Sequence, residues 1–149
     1  MPRLYFDTSA LVKHYHREEE SARVDELVQA PATMLFISQL AIVETLSAFA
    51  TKVRTGQMNP SEYLQLRGGF SADVLNRVYQ IARLQPKHFD RAKILIDTYG
   101  LKQQIRTLDA LQLSVALEIH RGDPIDDFAC SDRRLCEVAR LSGLSVIMP

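Results

Sequence analysis

Four acidic side chains stand alone in stretches of the sequence that are otherwise apolar. These acids are Asp7, Glu44, Asp109 and Asp132, each with aliphatic or aromatic residues close by in the chain. Burying an ionised carboxylate without a partner is costly, so buried acids usually meet a cation or hydrogen-bond donors. Because the sequence shows no matching set of buried Lys or Arg, a metal ion is the predicted partner of the four acids.

The chemistry of carboxylates narrows the choice of metal. Hard oxygen ligands without Cys or His favour Mg²⁺ or Mn²⁺ over Zn²⁺. At an effective dielectric of about 20, two carboxylates about 4 Å apart repel each other by roughly 4 kcal/mol, and a divalent cation relieves that repulsion. Magnesium keeps several waters and usually contacts the phosphate groups of a substrate. The four acids therefore indicate phosphoryl chemistry.

Each acid also has a structural explanation when it is considered alone. Asp132 could serve as a helix N-cap, and Asp109 could complement a helix dipole. Asp7 could form an Asx-turn with Ser9. Glu44 is the hardest to explain in this way, because it is predicted within a helix between apolar neighbours, where no cap is needed. One shared metal explains all four acids, whereas structural roles need four separate explanations.

The elements that must position these acids alternate between strands and helices along the chain. Short runs of branched and aromatic residues predict strands over residues 3–6, 33–37, 77–84, 127–131 and 144–148. Helices are predicted over residues 10–16, 18–30, 39–54, 86–99, 107–120 and 133–141, and a further helix begins at Pro60 with a break at Gly68-Gly69. This alternation indicates an α/β sandwich around a mostly parallel sheet, formed by a single domain over residues 1–149.

Two of the acids stand where a predicted strand ends and a helix begins, namely Asp7 and Asp132. In an open parallel sheet, ligands bind outside the carboxyl ends of the strands. Asp109 lies in the first turn of its predicted helix and Glu44 in the second turn of another. All four acids converge in one cleft if both helices start at that edge. The predicted N-caps of the helices near this edge are hydroxyl side chains: Thr8, Ser9 and Ser38.

Composition limits the classes of protein to consider. Hydrophobic residues make up 46% and charged residues 24% of the chain, a balance typical of globular proteins. Lys plus Arg equals Asp plus Glu at 18 each, whereas proteins that bind nucleic acids usually carry a basic excess. The sequence shows no membrane span and no leader pattern, and it has only two cysteines, so the cytoplasm is the expected location.

Four short stretches around the acids resemble those of PIN-domain ribonucleases, especially the VapC-type toxins of toxin–antitoxin pairs. The stretches are Tyr5 to Lys13, Val43-Glu44, Arg106 to Leu113 and Ser131 to Leu135, in the order and spacing of the family. Each stretch alone is a weak signature. The ordered set extends over essentially the whole chain, and it is specific.

The resemblance implies a three-layer α/β/α fold with a twisted, mostly parallel central sheet. It also implies an Mg²⁺- or Mn²⁺-dependent endoribonuclease, in which the metal polarises a phosphodiester and a water attacks in line to give 5′-phosphate and 3′-hydroxyl ends. The family's metal-binding acids match the four acids of this chain, Asp7, Glu44, Asp109 and Asp132. The hydroxyl that supports the site in the family matches Thr8 or Ser9.

The family pattern also has consequences for partners and for two unusual positions. Such proteins are often homodimers, and a cognate antitoxin is the expected protein partner. Gln112 stands where His is common in the family, and Ser114 stands where a small apolar residue is common. Neither position carries a metal in the family, so both departures are expected to matter little.

The candidates for contact with an RNA substrate are basic residues near the predicted acidic edge: Lys13, Lys52, Arg54, Arg106 and Arg133. Several contacts to phosphates would make RNA affinity fall steeply as the salt concentration rises.

Two other functions remain open on sequence grounds. A phosphatase could use Asp7 as a nucleophile, but that chemistry usually needs a second acid two residues later, where this chain has Ser9. A catalytically silent PIN scaffold could bind protein or RNA instead, and the near-neutral charge fits a partner-binding protein. Retention of all four acids favours the nuclease over the scaffold.

Overall fold

Seven helices and five strands alternate along the chain in the computed structural model, which describes residues 1–149. The strands are β1 (Arg3–Phe6), β2 (Met34–Ser38), β3 (Gln80–Ala82), β4 (Asp127–Ala129) and β5 (Val146–Ile147). The helices are α1 (Thr8–Tyr15), α2 (Ser21–Gln29), α3 (Gln39–Arg54), α4 (Pro60–Leu75), α5 (Pro86–Tyr99), α6 (Thr107–Gly122) and α7 (Arg133–Leu141). No helix combines the length and the apolar composition that crossing a membrane requires.

The five strands form one sheet in which every neighbouring pair is parallel. Their order is β3-β2-β1-β4-β5, so β1 is the central strand. Tyr5 of β1 is in register with Phe36 of β2 on one side and with Phe128 of β4 on the other. The direction of winding changes at β1, and the carboxyl edge at such a point is where α/β sheets bind ligands. The prediction of a largely parallel sheet is confirmed.

Helices cover both faces of this sheet. Side chains alternate along a strand, so Leu4 and Phe6 face one side of the sheet and Tyr5 faces the other. Leu4 and Phe6 pack in an apolar cluster with side chains of α1, α2, α3 and α4. Tyr5 packs in a second cluster with side chains of α5, α6 and α7. The chain therefore has the three-layer α/β/α fold that the resemblance implies.

Several predicted boundaries differ in the structure, among them those of β4 and β5, which end at Ala129 and Ile147, and those of α1, α2 and β3. α1 begins at Thr8, and its N-cap is Asp7 rather than a hydroxyl residue, because the Asp7 carboxylate accepts a hydrogen bond from the backbone N–H of Ser9. α2 begins at Ser21 instead of residue 18. β3 is limited to Gln80–Ala82 within the predicted range 77–84. None of these differences moves an acid away from the carboxyl edge.

α4 runs without interruption through Gly68 and Gly69, where the sequence predicts a break. Glycine costs about 1 kcal/mol relative to alanine in a helix interior, so two glycines weaken this helix without forbidding it. Phe70 follows them and is only 1% exposed, packed in the core beneath α1 and α3. Burial of a large aromatic side chain contributes more than the two glycines cost.

Replacing Gly68 or Gly69 with Ala is expected to stabilise the protein by about 0.5–1 kcal/mol at each position. A Cβ at either position meets no atom within 4 Å, so the gain in helix propensity is not offset by a clash. Gly56 is the matched control, since its surroundings are equally open but its φ is +77°. Gly56→Ala should therefore destabilise the fold. Chemical denaturation of the three variants measures the difference, and a loss of stability for both α4 variants would contradict the continuous helix.

Candidate active site

A cavity of about 300 Å³ lies at the carboxyl edge of the sheet, next to the end of β1. The four predicted acids all line this cavity, and Arg106 is the basic residue in its wall. The full lining consists of Asp7, Thr8, Ser9, Glu44, Ser47, Ala48, Thr51, Arg106, Leu108, Asp109 and Asp132. The structure therefore brings together in one place four residues that lie far apart in the sequence.

Topology explains why the four acids meet. Asp7 directly follows β1, and Asp132 follows the neighbouring strand β4 before α7 begins. Glu44 is carried by α3, which starts immediately after β2 on the other side of β1. Asp109 lies in the first turn of α6. Parallel strands end at the same edge of the sheet, so the residues that follow them are neighbours in space.

Asp7 is held by Ser9 and is almost fully buried, with 5% of the residue exposed. Its Oδ2 atom accepts hydrogen bonds from the Ser9 backbone N–H at 3.0 Å and from the Ser9 hydroxyl at 2.6 Å. Burial raises the pKa of Asp7 to about 6, with the two Ser9 bonds opposing the shift and the charges of Glu44 and Asp109 adding to it. The cavity thus disfavours the ionised form of this carboxyl group.

Glu44 is held by two neutral donors that both contact its Oε1 atom. The side-chain amide of Gln112 donates to Oε1 at 2.7 Å, and the Thr8 hydroxyl donates to the same oxygen at 3.3 Å. The Oε2 atom makes no hydrogen bond. Thr8 and Ser9, the two hydroxyls predicted to support the site, thus contact different acids.

Asp109 and Asp132 share one guanidinium group. Arg106 Nε lies 3.4 Å from Asp109 Oδ2, and Arg106 Nη2 lies 3.7 Å from Asp132 Oδ2. The Arg106 side chain is 79% exposed, so each contact is a weak surface ion pair. Burial raises the pKa of Asp109 above its usual value, and the charge of Asp132 adds to this, although Arg106 opposes it. One guanidinium faces four carboxylates, which leaves the cavity negatively charged when all four are ionised.

Three of the acids are anchored through one oxygen and keep the other free of protein donors or only loosely paired, whereas Asp109 has only its weak contact with Arg106. Asp132 follows this rule as the N-cap of α7, because Oδ1 accepts from the backbone N–H groups of Arg134 and Leu135 at 2.9 and 3.2 Å. The free or loosely paired oxygens are Asp7 Oδ1, Glu44 Oε2, Asp109 Oδ1 and Asp132 Oδ2. Such a set of hard oxygen donors suits a divalent cation of the Mg²⁺ type.

The side chains are not closed around an ion as they stand. No three acidic, His or Cys side chains are grouped closely enough to surround one metal. The donor chemistry fits a cation, and rotation of side chains such as Asp109, whose contact with Arg106 is weak, is needed to close the site.

Among the five basic residues predicted to contact RNA, Arg106 alone lines the cavity. The Lys13 and Lys52 ammonium groups form ion pairs with Glu20 and Glu18, and each lysine side chain is only 13% exposed. The remaining two residues are exposed: Arg54, which donates to Thr51 Oγ1, and Arg133 at the start of α7. Contact of these residues with RNA stays a prediction, and for both lysines it competes with an ion pair.

Sequence reasoning missed the part that Gln112 plays in the site. This residue is 1% exposed on α6 and contacts both Glu44 and Thr8. A signal was present, since Gln112 interrupts an otherwise apolar run from Ala110 to Leu117 apart from Ser114. The hydrogen-bond partners of this amide, however, lie 68 and 104 positions away in the chain, so the sequence alone does not identify them.

The sequence matches the PIN domain family over residues 4–141. The match covers nearly the whole chain and all four acids, and the chain belongs to this family. The search of curated protein sequences gives no significant match.

Several solved structures have the same fold, among them a toxin of Mycobacterium tuberculosis and a toxin–antitoxin complex of Klebsiella pneumoniae. VapC20 of Mycobacterium tuberculosis, a toxin that cleaves the sarcin–ricin loop, superposes with a TM-score of 0.69 at 13% identity, covering 98% of this chain and 99% of that one. FitAcB of Neisseria gonorrhoeae gives 0.65 at 13% identity, with coverage of 97% and 96%. VapBC2 of Rickettsia felis, bound to a DNA fragment from its promoter, gives 0.63 at 14% identity, with 98% of each chain covered. At this identity the likeness establishes the fold.

Proposed function

We propose that this protein is a metal-dependent endoribonuclease and the toxin of a toxin–antitoxin pair, acting as a single domain over residues 1–149. The observation that carries the proposal is the cavity lined by four carboxylates, three of them anchored through one oxygen, each of which keeps at least one oxygen without a strong protein partner. Membership of the PIN domain family supports a nuclease. The likeness to VapC20, which cleaves the sarcin–ricin loop, favours RNA as the substrate.

The residues that would hold Mg²⁺ or Mn²⁺ are Asp7, Glu44, Asp109 and Asp132. The bound cation would supply positive charge to a phosphodiester as negative charge develops on it. The chain's own residues prepare the site: Ser9 fixes the Asp7 carboxylate, and Thr8 fixes that of Glu44. Because these acids repel phosphate, RNA is excluded from the cavity until their charge is neutralised.

Arg106 is the basic group in the cavity that can bind a phosphate of the substrate. Its contacts with Asp109 and Asp132 are long and solvent-exposed, so exchanging them for a phosphate oxygen costs little. A guanidinium presents paired donors that match the geometry of a phosphate group. Arg106 would therefore orient the scissile region of the RNA and leave Asp109 free to turn toward a cation.

The proposed partners follow from the proposed activity. A toxin that cleaves the RNA of its own cell would act in the cytoplasm and be held inactive by an inhibitor, and one structural neighbour is a toxin–antitoxin complex of Klebsiella pneumoniae. We therefore include a cognate antitoxin in the proposal, together with a homodimeric toxin. A short reading frame next to the gene would be the candidate antitoxin, and co-purification of its product with this protein tests it, while light scattering tests the dimer.

A catalytically silent scaffold is the second candidate. It is favoured by the observation that no three acids are grouped around a common point and that Arg106 contacts two of them. In that case the acids would serve as helix caps and ion-pair partners. The scaffold would still bind a protein or RNA partner without cleaving it.

Cleavage of RNA by the purified protein is expected to require Mg²⁺ or Mn²⁺ and to stop when EDTA is added in excess. Sequencing of RNA ends after brief induction identifies the target, and cleavage of the same RNA in vitro then measures the metal requirement. Magnesium added after EDTA should restore the activity. Cleavage that survives excess EDTA would remove the cation from the proposal. Tight partner binding without cleavage of any mapped RNA would favour the scaffold.

A further inference from the structure

Every hydrogen-bond donor and acceptor of the Gln112 side chain has a partner, in a network below the cavity. Its Oε1 atom accepts from the Tyr5 hydroxyl at 2.7 Å and from the Ser38 hydroxyl at 2.9 Å. Its Nε2 atom donates to Glu44 Oε1 at 2.7 Å and to Thr8 Oγ1 at 3.1 Å. A side-chain amide can make four such bonds, two as acceptor and two as donor, so no capacity is left over.

This network fixes the direction in which the amide points. The Glu44 carboxylate accepts hydrogen bonds only, so it requires the NH₂ side of the amide, and a rotated amide would place two oxygens against each other. On the opposite side, Tyr5 and Ser38 supply hydroxyl donors to Oε1. The Ser38 hydroxyl accepts from the backbone N–H of Ala41 and donates its own hydrogen to Gln112 Oε1.

The network also joins the elements that build the cavity. Tyr5 belongs to β1 and Ser38 ends β2, while Glu44 lies on α3. Gln112 on α6 connects all three, and it is 1% exposed. A hydrogen bond to a charged group in a buried place is stronger than one at the surface, so this amide holds Glu44 firmly.

We propose that Gln112 is a positioning residue of the candidate active site. It holds Glu44 Oε1 below the cavity, so that Oε2 is the single oxygen that Glu44 offers to a cation. The inference rests on the proposed function for what Glu44 does, but the placement of Glu44 by Gln112 is independent of it. In many metal sites, a residue that does not bind the metal orients a metal ligand by a hydrogen bond, and Gln112 would do this for Glu44.

The test compares Gln112→Met with Tyr5→Phe. Methionine keeps the length and the unbranched shape of the side chain but removes all four bonds of the amide, including the two donated to Glu44 and Thr8. Tyr5→Phe removes one bond on the other side of the same amide, and Tyr5 does not line the cavity. Both variants lose buried hydrogen bonds, so both should melt at a lower temperature than the wild type.

The two variants should differ in cation binding. Calorimetric titration with Mn²⁺ is expected to show a loss of roughly 10- to 100-fold in affinity for Gln112→Met and a much smaller loss for Tyr5→Phe, because Ser38 still donates to the amide oxygen. With an RNA that the wild type cleaves, kcat should fall for Gln112→Met while KM for the RNA stays the same. Crystal structures of both variants should show the Glu44 carboxylate displaced in Gln112→Met only. If Gln112→Met does not fold, Thr8→Val removes the other donor to the same oxygen and should show a smaller loss.

Two outcomes have distinct meanings. Wild-type Mn²⁺ affinity and an unmoved Glu44 in Gln112→Met would overturn the positioning role and leave a stabilising one. If the wild type itself neither binds Mn²⁺ nor cleaves RNA, the proposed function fails, and the crystal structures still decide whether Gln112 places Glu44.

Discussion

Replacing Asp7 with Asn is expected to stabilise the cation-free protein by up to about 3 kcal/mol at pH 8 while slowing RNA cleavage by roughly 100- to 1000-fold. Burial raises the pKa of Asp7 from 3.8 to about 6, and each unit of pKa corresponds to about 1.4 kcal/mol. The folded state favours the protonated carboxyl group. Protonated Asp7 therefore stabilises the folded state fully below pH 4, and this stabilisation is lost as the pH rises through about 6. Asparagine is neutral at every pH and can still accept the hydrogen bond from the Ser9 backbone.

Thermal unfolding in EDTA measures this effect. At pH 8 the variant should melt roughly 6–12 °C above the wild type, and the difference should vanish near pH 4. Mn²⁺ should raise the melting temperature of the wild type more than that of Asp7→Asn, because the variant has lost one anionic ligand. Cleavage should fall by roughly 100- to 1000-fold, the size of effect seen when one group that stabilises charge in a transition state is removed.

The same pKa predicts how wild-type activity depends on pH. Asp7 must be ionised to bind a cation, so cleavage should rise between about pH 5 and pH 7. Saturating Mn²⁺ should shift this rise to lower pH, because the cation favours the ionised form. An Asp7→Asn protein that is no more stable than the wild type at pH 8 would show that the carboxylate already has a sufficient partner.

The parts of the fold that the sequence predicted well are those set by local signals. α3 starts after the Ser38 cap and ends at Arg54, as the cap and the following Gly56 indicate. The positions of Asp7 and Asp132 at strand ends followed from strand–helix alternation. Parallel topology then placed them at one edge without any knowledge of side-chain contacts.

The parts that the sequence did not predict depend on distant contacts. α4 continues through Gly68-Gly69 because Phe70 is buried by α1 and α3, which no local propensity shows. Structural and functional explanations also proved compatible: Asp7 caps α1, and it still lines the cavity. Gln112 looked unimportant because its partners are known only after β1, β2 and α3 are assembled.

Asp132 offers the sharpest separation of a structural role from a functional one. Its Oδ1 atom caps α7 through the backbone N–H groups of Arg134 and Leu135, while Oδ2 faces Arg106 in the cavity. Asparagine and serine both cap helices well, so Asp132→Asn and Asp132→Ser should keep close to wild-type stability. Asp132→Ala loses the cap and should cost about 1 kcal/mol. All three variants lack the carboxylate and should cleave RNA roughly 100-fold more slowly.

Asn59 provides the matched control for capping alone. It caps α4 by accepting from the Glu62 backbone N–H at 2.8 Å, and it does not line the cavity. Asn59→Ala should therefore lose about as much stability as Asp132→Ala while keeping full activity. Parallel measurement of melting temperature and RNA cleavage in the four variants separates the two roles of Asp132. Full activity in Asp132→Asn and Asp132→Ser would reduce Asp132 to a cap, and three acids rather than four would then define the metal site.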